Sequence, residues 1–260
     1  MKIKLFIFLF LIISLLIYKE LRSDDFSDAI VKAKKDFNTA SNKGDKDALL
    51  KVRGEFERIL QLKKNEWLIN YYLAHVDFII SNVATEAKNN DDVKKYTESS
   101  LKLLDKSIEL RDDFSETYIL KMAVESMLFM YEPDKMNDII AKQSEAKDKA
   151  EKLEPDNPRL YLMEGMNIYY APEQFGGGAD KALPLFQKSY DLFQTRNEKD
   201  ETYPNWGTDM APAMIALCYI ESGNFDDAKK YIDKALAINP DSGFIKDYVQ
   251  KEYDEKIKNK

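Results

Sequence analysis

Ala211-Pro212-Ala213-Met214-Ile215-Ala216-Leu217-Cys218-Tyr219-Ile220, then Glu221-Ser222-Gly223-Asn224, then Phe225-Asp226-Asp227-Ala228-Lys229-Lys230-Tyr231-Ile232-Asp233-Lys234-Ala235-Leu236-Ala237-Ile238-Asn239-Pro240, reads as two helices folded against each other. Ala216 and Ala228 stand twelve positions apart, with Ile215, Tyr219 and Ile232 as their large neighbours. Gly223-Asn224 interrupts the helical period between them, and Pro240 closes the second helix. A helix–turn–helix repeat of about 34 residues has this spacing. Units of that kind cannot bury their apolar faces alone, so they stack into solenoids with a concave side suited to holding other molecules.

The pattern extends to neighbouring stretches. Ala150 lies five residues before Pro155, as Ala235 lies five before Pro240. Tyr161 and Gly165 then supply a bulky and a small residue for a first helix, and Ala182, Phe186 and Ser189 repeat the spacing of Ala228, Ile232 and Ala235. Pro155 and Pro240 are 85 residues apart, two periods of about 34 with roughly 17 left over. Five of the extra residues fall between Gly165 and Ala182, and the remainder around Asn197–Trp206. Both are connections between helices, where insertion costs little. Farther upstream, Trp67, Tyr71 and Ala74 fit a first helix, Ser100, Leu104 and Ser107 its second, and 48–62 a still earlier second helix.

Amphipathic stretches cover 26–41, 46–62, 66–84, 91–109, 114–130, 134–152, 157–170, 179–195, 208–222, 225–237 and 242–258, with no alternating strand segment. The expectation is an all-α superhelical solenoid of about five helix pairs, closed by a C-terminal capping helix over 242–258 whose Lys, Asp and Glu suit an end that meets water. The domain so defined spans 24–260.

These residues resemble the tetratricopeptide repeat family, most closely over 211–240 and again over 155–189. The pattern departs at Lys147, where a large apolar residue is expected, and at Pro212, which replaces the usual tryptophan. Asn157-Pro158-Arg159, Tyr170, Gly176-Gly177-Gly178 with Lys181-Ala182, and Pro204-Asn205-Trp206-Gly207 are together similar to a group of exported bacterial tetratricopeptide-like proteins. The resemblance implies an α–α solenoid that binds, and no particular chemistry.

Bulk properties narrow the function. The chain carries −7, and because residues 1–23 hold Lys2, Lys4, Lys19 and Arg22 against Glu20, the body carries −10. Such a body does not attract polyanions, so nucleic acid is not an expected partner. The one cysteine, Cys218, sits in an apolar run and reads as a buried thiol. Basic Met1–Lys4 followed by apolar Leu5–Tyr18 has the design of an export signal, either cleaved or kept as a membrane tether. Residues 1–23 are therefore expected to place the body in the periplasm, or on the outer side of the inner membrane, with no other membrane contact.

Candidate site residues follow from the register. First helices should line the concave side, which points Tyr71, His75 and Phe78, then Arg159, Met166 and Tyr169, inward, with Tyr170 beside the inserted loop. Tyr169, Tyr170, Phe175, Tyr190, Phe193, Tyr203 and Trp206 read either as the wall of a ligand cleft or as core between two insertions. Gly176–Gly178 lack phosphate-loop spacing and read as a turn needing positive φ. His75 is the single histidine, which gives no metal set and no nucleophile–base pair. Glu198, Asp200 and Glu201 read as solvated acids. The expected function is a non-enzymatic exported scaffold without cofactor or metal, taking a protein or peptide on its concave face. The alternative is a periplasmic solute-capture component serving a transporter, with a small ligand in a pocket near the aromatic insert.

Overall fold

The computed structural model describes residues 25–198 and 200–258; the export segment read at 1–23 lies outside them. Helix α1 covers 25–42. It is followed by α2 (Lys46–Leu60), α3 (Glu66–Glu86), α4 (Asn90–Leu110), α5 (Ser115–Ser126), α6 (Met136–Leu153), α7 (Pro158–Tyr170), α8 (Ala179–Thr195), α9 (Met210–Glu221), α10 (Phe225–Ile238) and α11 (Gln250–Lys258). No strand occurs among the described residues. The helices pair as α1/α2, α3/α4, α5/α6, α7/α8 and α9/α10, and α11, entered through a π-helical turn at Phe244–Val249, caps the last pair.

Short polar residues set the starts of several helices. Asp45, Asn89, Asn157 and Asn224 each accept a backbone N–H from the turn that follows, satisfying a donor that the helix itself cannot. Pro212 falls in the first turn of α9, where a missing N–H breaks no intrahelical bond. Lys147 is half-buried and pairs with Glu164 of α7 at 2.5 Å, so a charge pair stands where the repeat pattern expects an apolar contact.

The small residues mark the places where paired helices approach. Ala150, Ala182, Ser189, Ala228 and Ala235 have no exposed surface. Ser100 and Ser107 of α4 donate to the carbonyls of Ala74 and Trp67 of α3, each at 2.8 Å. Gly165 shows how tight this is: a Cβ there would lie 2.6 Å from the wholly buried Phe186 ring of α8. Gly165→Ala is therefore expected to cost about 1–3 kcal/mol, read as a lower urea midpoint with an unchanged slope.

The stack curls until its ends meet. The Asn42 and Asn239 side chains exchange two hydrogen bonds, at 3.2 and 3.0 Å, and Asn239 donates another to Asp209 at 2.7 Å. A Cβ on Gly243 would stand 2.7 Å from the Asn42 carbonyl oxygen. The first pair thus touches the end of the last, and the concave side faces a confined interior.

Candidate concave binding face

First and second helices differ in how they are buried. Each of α4, α6, α8 and α10 buries one stripe, as amphipathic surface helices do. By contrast α3, α5, α7 and α9 are buried on most sides. Second helices cover them from outside, and much of their inner face is covered by the chain itself: the segment between α8 and α9 runs through the concave side.

The grip on that segment is directed at its backbone. Lys34 of α1 donates to the carbonyls of Glu201, at 2.5 Å, and Tyr203. Tyr72 of α3 donates its hydroxyl to the Thr202 carbonyl at 2.6 Å. Arg159 of α7 donates through Nη2 to the Pro204 carbonyl at 2.8 Å and through Nε to the Trp206 carbonyl at 2.9 Å. Five consecutive-to-near carbonyls, Glu201 to Trp206, are therefore met by side chains from three first helices. Side chains seat the same segment. The Trp206 indole N–H donates to Tyr71 Oη at 2.8 Å, and its ring lies 5.3 Å from the His75 ring. Tyr203 packs edge-on against Trp67 and Phe114, and its hydroxyl accepts from Arg111 at 3.3 Å.

Arg159 is the electrostatic centre, with no exposed surface. Nη1 donates to Glu116 of α5 and Nη2 to Glu198, at 2.8 and 2.7 Å. Arg196, at the end of α8, bridges Glu116, Glu154 and Glu198 at 3.3, 3.0 and 2.8 Å. Asn157 ties in Glu116 and Glu154, both at 2.8 Å. Burial pulls the Arg159 guanidinium down, and Glu116 and Glu198 more than reverse it, so it stays charged well above its ordinary range. Burial raises the Glu154 and Glu198 carboxyls, but their hydrogen-bonded partners and the arginines leave both below the usual value. Lys34 is different: burial lowers it to about 8, because its partners are carbonyls rather than a contacting carboxylate.

Of the residues expected on the concave side, Tyr71, His75 and Arg159 come together around Trp206. All three are buried beneath the segment, and the expectation of an open groove is corrected on this point. His75 Nδ1 has no hydrogen-bond partner; its ring lies among Phe37, Tyr71 and Trp206. Phe78 and Met166 are partly buried core contacts. Tyr169 and Tyr170 lie apart from this group. Tyr169 donates its hydroxyl to Glu221, and Tyr170, 58% exposed, meets the Tyr169 ring edge-on at 4.9 Å. The aromatic cluster near the insert divides in the same way: Trp206, Tyr203 and Phe193 pack inside, whereas Phe175 is exposed. Glu198, read as a solvated acid, is a partner of the buried Arg159, while Asp200 and Glu201 do face solvent. In the glycine turn, Gly176 and Gly178 have positive φ, and Gly177 is required by proximity, since a Cβ there would collide with the Ala171 carbonyl.

Lys34, Tyr72, Arg111 and Glu116 were not singled out by the sequence. A lysine and a glutamate in amphipathic helices look like solvated charges; the path of the 197–206 segment makes Lys34 a partner, and the packing of α5 against α7 and the end of α8 does so for Glu116.

Residues 213–242 match the tetratricopeptide repeat family model. No curated protein matches the chain. Among solved structures it is similar to the HusA haemophore from Porphyromonas gingivalis, at 24% identity and a TM-score of 0.60, over 76% of this chain and 93% of that one. It is also similar to TTC0263, a thermophilic tetratricopeptide repeat protein of Thermus thermophilus, at 14% identity and a TM-score of 0.55, over 88% of this chain and 97% of that one. At these identities the likeness is one of fold.

Proposed function

We propose, from a chain that carries a tetratricopeptide repeat within a stack of similar helix pairs, that it is an exported, non-catalytic scaffold that takes an extended polypeptide segment of a partner protein across its concave face. The observation that carries this reading is the row of carbonyls from Glu201 to Trp206 held by Lys34, Tyr72 and Arg159. Side chains that grip a backbone in this way tolerate varied sequences, which suits a face that receives segments of other proteins. Export rests on the basic-then-apolar residues 1–18.

The test is peptide display against a chain in which 197–206 is replaced by a Gly/Ser linker of equal length, its helicity checked by circular dichroism. Selected peptides are expected to bind, and to lose at least tenfold in affinity when Lys34→Ala and Tyr72→Phe are added. Each charge-assisted or buried hydrogen bond is worth about 1–3 kcal/mol. Enrichment indifferent to both changes, or none, overturns the reading.

A small flat ligand is the second reading. It is favoured by the cage of Phe37, Tyr71 and His75, which already holds an indole and contains an unpartnered imidazole nitrogen, and by the name haemophore of one structure with the same fold. Titrating the linker chain with hemin should shift the haem absorption band, and His75→Leu should abolish the shift. An unchanged spectrum removes this reading.

A further inference from the structure

We propose that the 197–206 segment is a built-in stand-in for the partner, and that the partner it mimics is an acidic segment with a carboxylate followed about eight residues later by an aromatic ring. The proposal rests on the concave-face reading above and adds to it the class of ligand and the reason the face is covered.

Two anchors define the pattern. The first is the Glu198 carboxylate, which meets Arg159 Nη2 at 2.7 Å. The second is Trp206, eight residues on, whose indole enters the cage of Tyr71 and His75 and donates to Tyr71 Oη at 2.8 Å. Between them the contacts of the face go mainly to carbonyls, and Asp200, Glu201 and Asn205 face solvent. A segment gripped by the side chains of Glu198, Tyr203 and Trp206 and along its backbone carbonyls is bound in the manner of an extended peptide ligand.

Charge points the same way. The segment carries Glu198, Asp200 and Glu201 against Lys199. Facing it are Lys34, Arg111 and Arg159 against Glu116 and the outlying Asp113, which pairs with Arg111. Glu116 and Glu154 are bonded to the arginines, so what the face turns toward the segment itself is Lys34, Arg111 and Arg159, an arrangement that favours acidic segments over basic ones. Lys34 has carbonyls as its hydrogen-bond partners on this face, so an arriving carboxylate would improve its surroundings.

An occupant tethered in cis has a high effective concentration, so it excludes ligands of ordinary affinity until it lifts away. The test uses a labelled synthetic peptide with the sequence of 196–207, and a control peptide with Glu198→Ala and Trp206→Ala. Fluorescence anisotropy is measured on the full native chain and on the linker chain. The peptide is expected to bind the linker chain at least tenfold more tightly than the native chain, and at least tenfold more tightly than the control. Equal binding to both chains overturns the stand-in, and equal binding of both peptides overturns the two-anchor pattern; each leaves the concave-face reading intact. Failure of this peptide, while display-selected peptides do bind, overturns only the inference. Failure of every peptide overturns both.

Should the linker chain not fold, hydrogen exchange on the native chain decides. Amides of 200–207 are expected to exchange by local opening, faster than those of α3 and without dependence on low urea. Exchange only together with α3 and α7 makes the segment a permanent part of the core and overturns the proposal.

Discussion

Arg159→Leu is expected to lower the stability of the chain by about 3–5 kcal/mol, because it strands a buried carboxylate. Glu116 is almost wholly buried, and its Oε2 already lacks a partner. Without the Arg159 guanidinium, it keeps the longer Arg196 contact at 3.3 Å and the amide of Asn157. The carbonyls of Pro204 and Trp206 lose their donors in the same step. Glu198, being partly exposed, can turn to water and contributes less. Two companion variants separate charge from packing. Arg159→Leu with Glu116→Gln removes the stranded charge and should recover a substantial part of the loss. Arg159→Lys should fall between, because an ammonium is a point donor that cannot reach two carboxylates and two carbonyls with the geometry of a fork. Urea titrations of the three chains give these values directly. If the double variant is no more stable than Arg159→Leu, the cost lies in the lost packing over Phe193 and Trp206 and in the unmet carbonyls of Pro204 and Trp206 rather than in the unpaired acid.

Much of this architecture is written locally. Helix starts and stops depend on residues within a few positions, so Asn157, Gly223 and Asn224 mark boundaries that the structure reproduces to within a few residues. The pairing of helices is legible for the same reason: small residues at fixed spacing, such as Ala216 with Ala228, mean close approach whatever lies farther away. The two insertions are legible as extra length. What that length does is not. Nothing in Glu198 through Trp206 shows that it turns inward rather than out, since the deciding partners are Lys34, Tyr72 and Arg159, between 39 and 169 residues away. The same contact distances hide the role of Glu116. Tyr71, His75 and Arg159 could be placed on the inner side by register, but the register is silent on what covers them.

Between pH 6.5 and 5 the stability of the native chain is expected to change little, because two buried groups act in opposite directions. His75 is the one histidine, and burial, then the neighbouring Arg159 charge, lower it from 6.5 to about 3. Its folded-state pKa lies below the unfolded one, so the unfolded chain takes up the proton first, and stability falls as pH drops below 6.5. Over 1.5 pH units that is about 2 kcal/mol. Glu125 is raised by burial from 4.5 to about 7. Here the folded chain holds the proton while the unfolded chain has released it, so stability rises as pH drops from 7 toward 4.5, by a similar amount over the same interval. Asp77, also raised by burial, acts in the same sense as Glu125. Glu154 and Glu198 are held below their ordinary values, so their contribution is intact throughout and is lost only as pH falls below about 4.5. The two opposing effects should separate on mutation. His75→Leu is expected to be about 2 kcal/mol more stable at pH 5 than at 6.5, and Glu125→Gln about 2 kcal/mol less stable, each relative to its own value at 6.5. Urea titrations at half-unit steps read both. The histidine result bears on the concave face as well: Trp206, together with Phe37 and Tyr71, packs around the His75 ring, and of these only Trp206 belongs to the 197–206 segment. A His75→Leu chain whose pH dependence matches that of the native chain would mean that the imidazole is protonated while the fold is intact, and that the 197–206 segment already opens far enough to hydrate the cage.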